Sequence, residues 1–260
     1  MVKLSIDLEK AKKEFIKYTS NYDLKNEKIK RKKDHSLRVM EISEQIAKKL
    51  GLKQEEIELA TLIGLIHDIA RFEQYTQFQK LNGRSSFDHG DYGVEILNKD
   101  IRKYIETDQY DEIIKKAIKN HNKYKIEEGL TKKEKLFTKI IRDADKLDIF
   151  YEAVNIFWID EVEMIENSKI DDNIEKQFNK LKQIKIENSK YKNNSINKVI
   201  TIIAFIFDMN FKESFEILKE KDYINQMINR FNFKDKKTKE KIEKIRIIAN
   251  KFIEEKRMKK

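Results

Sequence analysis

His35, His67, His89 and His121 are the four histidines of this 260-residue chain, and each falls where a metal ligand would be useful. Asp68 follows His67 directly. Downstream, Arg142-Asp143-Ala144-Asp145-Lys146-Leu147-Asp148 places an acidic knot inside an apolar helical pattern. Imidazoles and carboxylates together suit borderline divalent metals: iron, manganese, cobalt, nickel or zinc. A charged Asp68 at the end of a long apolar run costs free energy unless it is paired or metal-bound. The plainer alternative is that Asp68 marks the point where its helix surfaces. For any single histidine a satisfied structural role is the better expectation, so the weight falls on their arrangement.

The elements that must position these residues are helical. There is no proline and there are only six glycines, and helix-compatible Lys, Glu, Ile and Leu are plentiful, which predicts an all-α fold. A helix is expected over 35–50, with Asp34 as N-cap and Gly51 closing it. The next, 54–70, is apolar nearly all round from Leu59 to Ile66 and so reads as a buried central helix. Residues 71–87 lose periodicity and read as a loop with a short helix. Further helices are expected at 88–98, 109–121 and 132–157, the last opened by a Thr131/Glu134 capping box. On this reading His35 opens a helix, His67 closes the next, His89 opens the third and His121 closes the fourth. In an antiparallel bundle that alternation brings all four imidazoles to one rim, with Asp145 arriving from the fifth helix. Beyond it, 196–207 is strongly apolar and needs a buried partner, and 236–257 forms a final amphipathic helix.

Charge and composition exclude some classes. Hydrophobic and charged residues each make up 39% of the chain, enough for a real core under a heavily charged surface. No apolar run approaches a membrane span, the segment Met1-Val2-Lys3-Leu4-Ser5 lacks the core of a signal peptide, and cysteine is absent. A cytoplasmic protein is expected. The net charge of +10 is mostly C-terminal: Lys234 to Lys260 holds twelve Lys or Arg against five Asp or Glu. A solvated basic helix explains that better than a nucleic-acid or other polyanion site.

The order His35, His67-Asp68, His89, His121, Asp145 resembles the HD-domain superfamily of metal-dependent phosphohydrolases, in particular its six-ligand, two-metal members. Leu65-Ile66-His67-Asp68-Ile69-Ala70-Arg71-Phe72 and Ile140-Ile141-Arg142-Asp143-Ala144-Asp145 carry the likeness, which spans about residues 30–160. The resemblance implies an HD-type helical bundle; the helical pattern along the chain puts that core at 20–160, with a helical extension at 161–260 packed on it. It assigns His35, His67, Asp68 and Asp145 to one divalent ion, with Asp68 bridging to a second held by His89 and His121. The ions would be iron or manganese, with nickel, cobalt or zinc as alternatives. The Ala144-Asp145 step selects Asp145 over Asp143 and Asp148.

The implied activity is attack of a metal-bound hydroxide on a nucleotide or related small phosphoester. Asp68 is catalytic as well as a ligand, with Arg71 and Lys146 as the leading phosphate cations and Arg38, Arg84 and Lys123 as further candidates. Residues 71–87 would form a lid, whose Phe72, Tyr75, Phe78 and Phe87 either stack on a base or anchor the loop. The same ligands also occur in mixed-valent di-iron oxygenases of this superfamily, and a non-catalytic metal- or nucleotide-binding module is a third reading. The Gly-Tyr-Pro extension of cyclic-di-GMP hydrolases is impossible without proline.

Overall fold

The computed structural model describes residues 6–78, 87–184 and 195–258. Among these the chain is all-α, with short 3-10 segments and no strand. No helix of the described residues is long and apolar enough to cross a membrane. The chain divides into two compact units, one through Asp145 and one from Lys146 onward.

The first unit is built from α1 (Leu8–Thr19), α2 (Glu27–Lys49), α3 (Gln54–Ile66), α4 (Ala70–Phe78), α5 (His89–Asp100), α6 (Asp111–Asn120) and the start of α7 (Lys132–Asn155). α3 is the central element: every residue from Leu59 to Ile66 is buried. Each fully buried Leu or Ile there contributes about 1.5–3 kcal/mol. α2 lies against α3 more extensively than any other pair of helices. Gly64 makes that approach possible, because a Cβ there would stand 2.6 Å from Ser43 Oγ and 2.8 Å from the Val39 carbonyl. Gly51, with φ of +68°, turns the chain out of α2. α7 opens on the expected capping box, with the Thr131 amide donating to Glu134 Oε2 and the Glu134 amide to Thr131 Oγ1.

Two boundaries differ from expectation. α2 begins eight residues before His35, where the Asn26 side chain accepts from the Lys28 amide as the cap. Asp34 is therefore interior, not a cap. The added turns are mostly Lys, Arg and Glu, which form helix readily but show little apolar periodicity beyond the buried Ile29. The short helix expected within 71–87 is α4, which takes up 70–78 at the head of that stretch. Phe72 is buried against Phe15, Tyr18 and Tyr22, and the Tyr75 hydroxyl accepts from Asn26 Nδ2. Both aromatics anchor α4 to the core. The rest of the expected lid, with Arg84, lies outside the described residues, as does the Phe78 side chain; so does the Met1–Ser5 segment.

The second unit holds the end of α7 with α8 (Val162–Glu166), α9 (Asp172–Phe178), α10 (Ser195–Ile203), α11 (Lys212–Glu220), α12 (Tyr223–Asn229) and α13 (Lys236–Arg257). The apolar tract finds its partners here: Ile196, Val199, Ile200 and Ile203 are fully buried. Beyond them Phe207 packs edge-on between Phe178 and Phe252. The Arg230 guanidinium donates to the carbonyls of Ala153 and Phe157, satisfying the C-terminal end of α7.

Candidate metal centre

The two histidines at helix C-termini are built the same way. His67 caps α3 and His121 caps α6. Nδ1 of His67 lies 2.8 Å from the Gly64 carbonyl, and Nδ1 of His121 lies 2.6 Å from the Ile118 carbonyl. A carbonyl only accepts, so each Nδ1 carries the proton and each Nε2 keeps its lone pair. The helix end thus uses the ring to satisfy an orphan carbonyl, and the same bond fixes the tautomer a metal needs. His67 Nε2 is buried and has no hydrogen-bond partner.

His35 projects from the interior of α2, not from its first residue, and its Nε2 lies 3.2 Å from Asp145 Oδ1. From the acidic knot, Asp145 places its Oδ1 at this nitrogen. His89 is the first residue of α5, whose cap Asp88 accepts from the Gly90 and Asp91 amides. Asp68 sits among all four imidazoles. Its Oδ2 lies 3.7 Å from His35 Nε2 and 3.8 Å from His67 Nε2. Its Oδ1 lies 3.5 Å from His89 Nε2 and 3.4 Å from His121 Nε2.

Two donors held about 2.1 Å from one ion at angles of 90–110° stand about 3.0–3.4 Å apart. The spacings here, 3.2–3.9 Å, need only a small contraction to reach that range. Among the described residues, His35, His67 and Asp145 form one group close enough to hold an ion, and His67, Asp68 and His121 form another. His67 belongs to both. The donor set fits one or two borderline divalent ions.

His89 fits less simply. Asn122 Nδ2 donates to Asp88 Oδ1 at 3.0 Å and stands 3.2 Å from His89 Nδ1. That makes Nδ1 the acceptor and puts the proton on Nε2, which faces His121 Nε2 at 3.1 Å. As a ligand through Nε2, His89 needs its other tautomer.

Two cations share the Asp68 carboxylate. Arg71, expected as a phosphate cation, has its Nε 3.4 Å from Oδ1, and its Nη1 donates to Gln74 Oε1. Gln74 in turn donates to the Phe87 carbonyl, tying α4 to the start of α5. Lys32 was missed, although its Nζ lies 2.9 Å from Oδ2. The signal was its place one turn before His35, hidden in the run Lys30-Arg31-Lys32-Lys33.

The remaining cationic candidates have other settings. Lys123 pairs with Asp88 and Asp91, Arg38 is half-buried one turn after His35, and Lys146 belongs to the second unit, 2.8 Å from Asp208 Oδ2.

Burial would raise the Asp68 carboxyl, but Lys32, His67 and Arg71 outweigh it and hold the group well below the usual range. Asp145 is likewise held low, the hydrogen bond from His35 overcoming burial. Burial lowers His67 to about 4 against the pull of Asp68, and burial, then Arg71, pushes His89 well down. Ionised carboxylates beside neutral imidazoles are the protonation states that bind metal.

Residues 33–149, the segment that carries all six of these candidate residues, match the family model described as the HD domain. This chain carries an HD domain. No curated protein and no solved structure matched it. The HD domain begins within α2, two residues before His35, and ends in α7, four residues after Asp145. HD domains bind divalent metals, and the His and Asp groups above are where this one would hold them.

Proposed function

We propose that this HD domain is a metal-dependent phosphohydrolase acting on a nucleotide or related small phosphoester. One observation carries the reading: the Asp68 carboxylate presents one oxygen to His35 and His67 and the other to His89 and His121. That placement supports Asp68 serving two ions: His35, His67 and Asp145 would hold one, and His89 and His121 the other. Bound there, divalent ions supply an acidified water and a Lewis acid for phosphate oxygens.

The chain's own residues supply the rest. His67 and His121, locked by their Nδ1 bonds, hold their lone pairs toward the cluster without a reorganisation cost. Asp68 and Asp145 stay ionised. Lys32 and Arg71 stand at the same carboxylate with N–H donors suited to phosphate oxygens. Phosphate binding is assigned to Lys32 and Arg71 because both stand at the Asp68 carboxylate.

The test is metal analysis of the purified protein, joined to a phosphate-release screen over nucleotides and dinucleotides with Mn²⁺ or Fe²⁺. About two ions per chain and release from at least one substrate are expected, both lost in Asp68→Asn. Oxygen consumption with a mixed-valent iron signal and no phosphate release would replace hydrolysis with oxygenation. Activity that survives Asp68→Asn would sink the reading altogether.

A further inference from the structure

Arg142 lies on α7, one turn before Asp145, and is almost fully buried. A guanidinium removed from water is costly unless its donors are met. Its Nη1 stands 2.9 Å from the Asn120 carbonyl, 3.2 Å from that of His121 and 2.5 Å from that of Lys123. These carbonyls sit at and just past the C-terminus of α6, where no further turn offers N–H partners. A cation there also meets the negative end of the helix dipole.

The segment it grips is the one that carries His121. Around it, Asn120 closes the following loop by accepting from the Glu127 amide, and Lys123 binds Asp88 and Asp91 at the start of α5. Those bonds tie the segment to its own loop and to α5. Arg142 ties it to α7, the helix that supplies Asp145. His121 Nε2 then faces Asp68 because the backbone is held from behind while Nδ1 is held by Ile118.

We propose that Arg142 is a positioning residue for the metal site. It holds the backbone that carries His121, so that the Nδ1–Ile118 bond keeps the ring in one tautomer, and so fixes the His121 side of the centre against the Asp145 side. The inference rests on His121 being a metal ligand, but not on which reaction follows. Three carbonyls converge on one nitrogen, so an ammonium with three N–H donors can replace the guanidinium in part, from about one bond farther back. A neutral thioether cannot.

Ring-nitrogen NMR of the metal-free protein and Co²⁺ titration test this together. In the unsubstituted chain His121 should show one tautomer, protonated at Nδ1. Arg142→Met should mix the tautomers and weaken Co²⁺ binding ten- to a hundred-fold, the usual cost of losing a partner that orients a ligand. Arg142→Lys should fall between. With His121→Ala already present, Arg142→Met should weaken Co²⁺ no further, a coupling that general loosening of the fold would not produce. If Arg142→Met does not fold, the cycle is run with Arg142→Lys. Circular dichroism of both should match the unsubstituted chain.

Unchanged tautomer and Co²⁺ affinity in both variants would overturn the proposal, as would additive losses in the cycle. A protein that hydrolyses no phosphoester yet shows the coupling would refute the hydrolase reading and leave the role of Arg142 standing.

Discussion

At Asp68 one buried carboxylate answers to Lys32, Arg71 and four imidazoles. In the metal-free chain its charge is compensated chiefly by Lys32. Removing one partner of a buried pair typically costs 3–5 kcal/mol. Lys32→Met should therefore destabilise the metal-free protein by about 3 kcal/mol, and saturating metal should recover much of that loss because the ions take over the compensation. Urea unfolding with and without Mn²⁺ reads this out, and equal losses in both states would show that Lys32 and metal do not share the carboxylate. His35, His67, His89, His121, Asp68 and Asp145 could be picked out as candidates before any fold was known, because histidine is scarce here and Asp68 interrupts an apolar run. Lys32, Asn122 and Arg142 could not, since lysines are everywhere in this chain and only helix phase and contact separate one from another.

At the scale of elements, the site depends on how closely α2 and α3 approach. His35 rides on one and His67 ends the other. Gly64→Ala would put a methyl 2.6 Å from Ser43 Oγ, 2.8 Å from the Val39 carbonyl and 2.9 Å from Met40 Cα. Two of those contacts are backbone, so the helices must separate. A loss of about 1–3 kcal/mol is expected, measured by denaturant unfolding, together with weaker Co²⁺ binding. Wild-type stability would mean that the helices have slack the packing does not suggest. Helices with apolar stripes or caps were recoverable from pattern: α3, α6, α7 and α13. The start of α2 and the bounds of α4 were not. One is a run of charges with good helix propensity, and the other is held by aromatic contacts to α1 that lie far away in sequence.

For the molecule as a whole, the histidines couple folding to pH. His67 titrates at about 4 in the fold and near 6.5 when unfolded. Between these values the unfolded chain binds more protons, so stability falls as pH drops through that window and levels off below it. For His67 alone the loss by pH 5 is about 2 kcal/mol. The depressed carboxyls Asp68 and Asp145 add their own losses only below about 4, where the unfolded groups titrate. Unfolding of the metal-free protein at pH 7 and pH 5 measures the histidine part, and equal stability at the two values would contradict it. Metal should oppose the loss, adding about 2.7 kcal/mol at a hundred times its dissociation constant.

The amino-acid sequence by itself determined the helical class, the family resemblance and the list of ligand types. Those depend on local propensity, on short motifs and on scarcity, all of which are written in one dimension. Only the tertiary structure decided that Asp145 Oδ1 stands 3.2 Å from His35 Nε2, and that Lys32 answers Asp68. It also decided that His89 Nε2 stands 3.1 Å from His121 Nε2, and that Arg142 grips the chain behind that ring. Each of these is a contact between side chains or carbonyls on different helices. Such contacts follow from the angle and depth at which helices pack, which no spacing along the chain encodes.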